Sequence, residues 1–231
     1  MGHLLKENLG LITVRQVSDG DFNHCFVADT IVDSRVTMSH RGIGYVFPLY
    51  LYGKDGRTEN IADHFRQGLA AHPGGEIKPT GEEIFYYVYA FLYSNVYRKE
   101  FAGQLREDFP RIPFPTNKSF FYEMSRWGEK LVSLHLLKSP GLKGDLRVYA
   151  GKSGDFSSLP PRLWEYKIGG HPVLQKLPKG FPGGKIIPAE VEPIARVIKA
   201  IDLTISCQEK IDRIIRRFKL VSLWNQDSEE S

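Results

Sequence analysis

The residues that could carry out catalysis are few and lie near the start of the chain. His24 and Cys25 are adjacent, and Asp29 and Asp33 follow them. Adjacent side chains of an extended segment point to opposite faces, so the His-Cys pair does not make a zinc site. The two aspartates lack the Glu-x-Lys strand that completes a metal-dependent nuclease centre. A catalytic dyad of Cys25 with a distant histidine stays open, but no neighbouring residue supports it.

Methyl transfer to adenine has its own sequence requirements, and the chain does not meet them. Such an enzyme needs a Gly-rich loop for the methionine cofactor and an Asn-Pro-Pro-aromatic tetrapeptide that holds the flipped base. The tetrapeptide is absent, and Gly42-Ile43-Gly44 leads into strand-like sequence instead of a helix. We therefore predict no catalytic, cofactor-binding or metal-binding residues in this chain.

The polar residues of the loops are better suited to hydrogen bonding with DNA than to catalysis. Arg15 and Gln16 end the first predicted strand, and their forked side chains match guanine and adenine edges in the major groove. Both types also bind phosphate. The next two loops add Asn23, His24, Arg35, Ser39, His40 and Arg41. This clustering beside strand ends predicts a DNA-reading surface.

A second basic region covers residues 138–162. Its glycines allow the backbone to approach a phosphate closely, although a solvated hairpin is an equally good interpretation. From this region we take Lys138, Lys143 and Lys152 as candidate DNA-binding residues.

The composition is that of a globular protein with a modest positive charge. The 231 residues include 31 basic and 27 acidic ones, a net charge of +4, which suits a nucleic-acid partner without requiring one. Two cysteines cannot build a disulfide framework, so a cytoplasmic location is expected. No apolar run is long enough for a membrane helix, and no membrane partner is predicted. The abrupt Met1-Gly2-His3 start suggests an excised domain.

Periodicity predicts a mixed α+β fold. Branched and aromatic runs predict strands over 9–17, 26–32 and 45–52, and a short strand over 146–150. Helical spacing predicts helices over 61–69, 82–106, 120–137 and 190–223. Thr80 and Asn117 (or Ser119) are the expected N-caps. The aromatic stripe of the second helix is interpreted as core, as are Trp127 and Trp164.

The predicted organisation is a target recognition domain over 1–189 followed by a helical arm and acidic tail over 190–231. The first part divides into a β-rich region (8–55), a helical region (82–137) and a basic loop and strand region (138–170). The C-terminal helix is expected to pack back on the domain or to dock on another domain.

Several blocks, taken in order, resemble one known family. They are residues 8–16, 26–29, 45–52, 84–90, 108–113, 128–137 and 164–170, followed by the final helix predicted over 190–223. Together they are similar to the C-terminal target recognition domain of Type ISP and related Type IIG restriction-modification enzymes. The resemblance covers nearly the whole chain.

The resemblance implies a division of labour. It implies an upstream domain that methylates adenine with S-adenosylmethionine, a nuclease further upstream, and a recognition domain that reads double-stranded DNA in the major groove. The alternatives are a helical protein-interaction module without base contacts, and a small enzyme with His24, Cys25 and Asp29 in one polar pocket.

Overall fold

A three-stranded sheet, a layer of aromatic helices and one long C-terminal helix make up the architecture. The computed structural model describes residues 2–17, 20–33, 36, 43–144, 146–150, 156, 158–169, 171–174 and 188–218. Its strands are β1 Gly10–Thr13, β2 Cys25–Ala28, β3 Tyr45–Pro48, β4 Tyr50–Gly53, β5 Gly56–Glu59, β6 Lys167–Ile168 and β7 His171–Pro172. Its α-helices are α1 Asp63–Ala70, α2 Gly81–Tyr93, α3 Asn95–Glu100, α4 Ala102–Glu107, α5 Lys118–His135, α6 Arg147–Ala150, α7 Pro161–Trp164 and α8 Pro188–Arg217. The predicted mixed α+β class is confirmed.

The N-terminal sheet has the order β2-β1-β3, and all of its pairs are antiparallel. The strand predicted over 45–52 is in fact two strands, because β3 pairs with β1 whereas β4 pairs with β5. Pro48 has no N–H to continue a ladder. The buried Asn8 amide then binds both backbone groups of Tyr50, accepting from its N–H at 3.0 Å and donating to its carbonyl at 2.8 Å. This side chain replaces a strand partner and turns the chain into the second sheet.

The helix predicted over 82–106 is wrong in its length, since the chain forms α2, α3 and α4 instead. Its start is confirmed: the Thr80 hydroxyl accepts from the Glu83 N–H, and the Glu83 carboxylate accepts from the Thr80 N–H. The break falls at Ser94, whose backbone is extended and whose hydroxyl accepts from the Tyr97 N–H. Serine competes with helical hydrogen bonding through such local bonds, so α3 begins again with its own cap.

Helix α5 lies against α2 and was predicted with its cap. The Asn117 side chain accepts from the Phe120 N–H at 2.9 Å. Gly128 sits where a Cβ would lie 1.8 Å from the Tyr86 carbonyl oxygen, so the two helix backbones approach closely only because this residue has no side chain. The short strand predicted over 146–150 is wrong: residues 147–150 form α6, which packs against α8.

Two hydrophobic cores lie along α8. The larger one holds the aromatic stripe of α2 and receives Ile211, Ile214 and Ile215 from the second half of α8. The smaller one joins Phe156 and the residues around α7 to the first half of α8. The aromatic residues are core, as predicted, with Trp127 and Trp164 at its margins. The helix therefore packs back on the domain, whereas the domain boundary at residue 190 stays a prediction.

Within the part of the chain that the structure describes, no helix combines the length and apolar character that crossing a bilayer requires.

Candidate nucleic-acid interface

An extended proline-bound segment, Asp108 to Pro115, runs beside the end of β1. Proline keeps the residue before it out of helical conformations, so Pro110, Pro113 and Pro115 hold the segment open. Tyrosine hydroxyls from the helix layer hold it from below: Tyr97 donates to the Arg111 carbonyl at 2.8 Å, and Tyr87 donates to the Pro113 carbonyl at 3.0 Å. The aromatic helices thus give this surface segment a fixed position.

Arg15 connects the end of β1 to this segment. Its Nε donates to the Asp108 carboxylate at 3.0 Å, and 58% of its side chain is exposed. The Phe109 backbone N–H and the Arg15 guanidinium lower the pKa of Asp108. Exposed ion pairs of this kind stabilise a protein only weakly, because water and salt screen the charges. Arg15 can therefore leave Asp108 for a base or phosphate at little cost.

The neighbouring candidates differ in what they can reach. Gln16 is exposed. Asn23 is partly buried, and its side-chain oxygen accepts from Arg98 at 3.0 Å. His24 is 5% exposed, and burial followed by the charge of Arg98 lowers its pKa. A neutral imidazole enclosed by the protein has no surface for DNA, so the inclusion of His24 among the candidates is corrected.

Lys138 and Lys143 lie elsewhere. Lys138 forms an ion pair with Asp29, which follows Ala28 and therefore lies beside Gly10 at the start of β1. Arg15 lies beyond the other end of β1. An extended chain rises about 3.3 Å per residue, so Arg15 is about 20 Å from Asp29 and its partner Lys138. Lys143 is exposed, and its carbonyl oxygen accepts from Lys199 at 2.9 Å. Of the described candidates, Arg15, Gln16 and Asn23 lie at one end of the sheet and Lys138 lies at the other, whereas Lys143 lies beside Lys199 of α8.

Five predicted DNA-binding residues lie outside the described residues. They are Arg35, Ser39, His40, Arg41 and Lys152.

The structure does not support a catalytic centre built on His24 and Cys25. Burial raises the pKa of the Cys25 thiol to about 12, so it stays protonated, and Cys207 is also buried. Asp29 is paired with Lys138 near the surface, apart from the enclosed His24. Among the described residues, no cluster of three or more His, Cys, Asp or Glu side chains is arranged to hold a metal ion.

Sequence reasoning missed the basic residues of α3 and α4, above all Lys99 and Arg106. Both fall within the single helix that was predicted over 82–106, and neither was named as a candidate. The Val17 N–H donates to the Arg106 carbonyl at 3.2 Å, which places the end of α4 two residues from Arg15. A signal was available in Ser94-Asn95, two helix-capping residue types in a row.

Comparison with known sequences decides the family. The sequence model of the Type ISP C-terminal specificity domain matches residues 1–149. The chain belongs to this family. A search of curated proteins found no match for this specificity domain.

Solved structures show the same fold. The domain is similar to a chain of the DrdV–DNA complex determined by cryo-electron microscopy (21% identity, 90% of this chain and 24% of that chain, TM-score 0.59). It is also similar to a nuclease-deletion mutant of the Type ISP restriction-modification enzyme LlaGI in complex with a DNA substrate mimic (23%, 89% and 21%, TM-score 0.56). A third similar structure is the ATP-dependent Type ISP enzyme LlaBIII bound to DNA (19%, 89% and 16%, TM-score 0.63). The chain spans a quarter or less of the length of these three solved chains.

Proposed function

We propose that this specificity domain is the DNA target-recognition module of a restriction-modification enzyme and that it carries out no chemistry itself. The observation that carries the proposal is the family match, together with the same fold in three solved structures, two of which hold DNA and one a DNA substrate mimic. Double-stranded DNA is the partner. Its sequence is read in the major groove by side chains at the strand ends, of which Arg15 is the best placed.

The physical basis is an exchange of partners at Arg15. The guanidinium is held at the surface by Asp108, which lies on a segment fixed by Tyr87 and Tyr97. A bidentate contact with guanine uses two of its donors and discriminates by about 1–3 kcal/mol against a wrong base. Asp108 returns to the pair when DNA leaves. The carboxylate also disfavours binding of Arg15 to DNA that offers no matching base.

A docking module without base contacts is less well supported. Such a module needs an apolar stripe that its own fold leaves open. The stripe of α8 faces the two cores of this chain, where Ile198, Ile201, Ile211 and Ile215 are buried.

The test starts by selecting the target. A randomised duplex library is passed over the domain at low salt, and the enriched sequence and a scrambled version serve as specific and non-specific duplexes. We expect Arg15→Ala to weaken binding to the enriched duplex by about 5–150-fold, the equivalent of 1–3 kcal/mol, and to weaken binding to the scrambled duplex much less. Arg196→Ala is the control, because it removes an exposed arginine paired within α8. Failure of any sequence to enrich would refute target recognition, and equal losses on both duplexes would make Arg15 a phosphate contact.

We also propose that the parent polypeptide is a site-specific adenine methyltransferase and restriction endonuclease. S-adenosylmethionine would bind in its methyltransferase domain, outside this chain. The proposal is supported by the restriction-modification enzymes that share the fold. Transfer of a labelled methyl group from S-adenosylmethionine to adenine within the enriched duplex, by the protein encoded by the whole gene, tests it. Methylation at sites unrelated to the enriched sequence would contradict it.

A further inference from the structure

A basic cleft lies between the loop that precedes β2 and the helix pair α3–α4. It has a volume of about 300 Å³, and its lining includes Asp21, Asn23, Arg98, Lys99 and Arg106. Three of the lining side chains are cationic and one is a carboxylate, a net charge of +2. The cleft exists because the chain breaks at Ser94, which turns α3 and α4 out of line with α2.

Two of its cations are available to a ligand. Lys99 is exposed, and no carboxylate of the described residues lies within 4.0 Å of its ammonium group. Arg106 is 57% exposed, and its nearest acidic atom is the Asp21 carboxylate at 4.0 Å, the outer limit of an ion pair. Asp21 is itself 89% exposed, so the pair is weak.

The third cation has a structural role. Arg98 donates to the Leu92 carbonyl at 2.6 Å and to the Asn23 side-chain oxygen at 3.0 Å, and it lies 5.0 Å from the centre of the Tyr93 ring. The bond to Arg98 also orients Asn23. Because the amide oxygen is the acceptor of that bond, the amide N–H groups are the donors that Asn23 can offer to a ligand.

The two available cations and the amide donors of Asn23 are groups that bind an anion. Backbone phosphates of DNA are bound by Lys and Arg charges together with Asn donors, and such contacts set the register from which other side chains read bases. The cleft adjoins the DNA-reading candidate Arg15, since Val17 binds the Arg106 carbonyl.

We infer that the cleft between residues 20–23 and α3–α4 binds a phosphate group of the DNA backbone, through Lys99, Arg106 and the Asn23 amide. The inference rests on the proposed function and adds a contact to it. This contact contributes equally to binding of every sequence and holds Arg15 over the base edges.

The variant is the double replacement Lys99→Gln with Arg106→Gln in the full chain. Loss of one phosphate contact reduces the magnitude of the negative slope of log K against log salt by about 0.9. If the two proteins bind equally at 1 M salt, the affinity of the variant is about 8-fold lower at 0.1 M salt. We expect this loss on the enriched and the scrambled duplex alike. The control is Lys78→Gln with Arg196→Gln, which removes the same charge. Lys78 lies before the first residue of α2, and the cleft lies beyond the last residue of this helix. Arg196 lies 16 residues before Asp212 on α8, and Asp212 binds Asn95 beside the cleft. At a rise of 1.5 Å per helical residue, each of the two control residues is about 20 Å or more from the cleft.

A backbone scan separates a phosphodiester from a free phosphate ion. Single methylphosphonate substitutions are placed along the enriched duplex. At one position, the neutral linkage should weaken binding of the wild-type domain. It should cause no further loss of affinity in the double variant, because that variant already lacks the contact between the cleft and this phosphate. Competition by inorganic phosphate at constant ionic strength, without any such position, would indicate a free-phosphate site and overturn the inference.

The outcomes distinguish the two proposals. A wild-type domain that binds no duplex refutes both. A wild-type domain that binds, with a double variant whose salt slope equals that of the charge-matched control, refutes only the phosphate cleft. Unchanged melting temperatures of the variants show that the measured losses come from binding.

Discussion

Replacing Asp212 by alanine should destabilise the domain by about 3–4 kcal/mol. Asp212 lies on α8 and is 5% exposed. Its Oδ1 accepts from the Ser94 hydroxyl at 2.7 Å and from the Val96 N–H at 3.1 Å, and its Oδ2 accepts from the Asn95 amide at 3.1 Å. The carboxylate thus completes the cap of α3 from a residue more than 110 positions away.

The magnitude follows from the donors left behind. Ser94 and Val96 are buried, and each buried donor without its acceptor costs about 2 kcal/mol, or about 4 kcal/mol together. Asn95 is exposed and can bind water instead. The better helix propensity of alanine returns about 0.5 kcal/mol.

Urea denaturation followed by circular dichroism at 222 nm measures the change. Asp212→Asn is the informative comparison, because an amide oxygen at the Oδ1 position keeps both buried bonds; we expect a loss of about 1 kcal/mol. Glu209→Ala is the control, since it removes an exposed acid from the same helix. Equal losses for Ala and Asn, or less than 1 kcal/mol for Ala, would show that the capping account is wrong.

Two further predictions concern the α2–α5 contact and the response to pH. Gly128→Ala should lower the free energy of unfolding, measured with denaturant, by about 3 kcal/mol or more, because the added methyl group would meet the Tyr86 carbonyl. Gly103→Ala is the control: nothing lies within 4 Å of the added methyl group, so this change should raise the free energy of unfolding by about 0.5–1 kcal/mol. An unchanged stability of Gly128→Ala would refute the close approach of the two helices. Burial, then the charge of Arg98, lowers the pKa of His135 to about 3. The unfolded chain, with a histidine pKa of about 6.5, therefore binds the proton first, so stability falls as pH drops from about 6.5 towards 3, by up to about 2 kcal/mol at pH 5. The unfolding free energies of wild type and His135→Gln at pH 5 and 7.5 test this, and an equal pH dependence of the two proteins would contradict it.

The His135 prediction also depends on a hydrogen-bond chain that joins three helices. Thr204 donates to the Ala200 carbonyl at 2.7 Å, so it accepts at 3.0 Å from His135 Nε2–H. His135 Nδ1 then accepts from the Tyr89 hydroxyl at 2.8 Å. Burial is the main reason that the neutral form is favoured, and this chain of hydrogen bonds suits the neutral form because Nδ1 then has a lone pair for the Tyr89 hydroxyl.

Much of the framework could be read from the sequence. Thr80 and Asn117 cap the helices that they were expected to cap, and the aromatic stripe is core. The family was identified from ordered blocks and confirmed by the family match. The candidate site was harder, because exposure is not a property of residue type. His24 and Arg15 were both candidates by chemistry, yet one is enclosed and the other faces solvent.

Local chemistry therefore determined the caps, the core-facing stripes and the mixed class, because those depend on residues within a few positions of one another. Tertiary structure decided the division of residues 45–52 between two sheets and the helix at 147–150, and at Ser94 it completed a local capping signal with the distant Asp212 carboxylate. It also decided that Arg15 meets Asp108 across 93 residues and that Lys99 and Arg106 line one cleft. These features depend on which distant groups the packed cores bring together, such as the Asp212 carboxylate and the Asn8 amide, and no local pattern of apolar and polar residues encodes that choice.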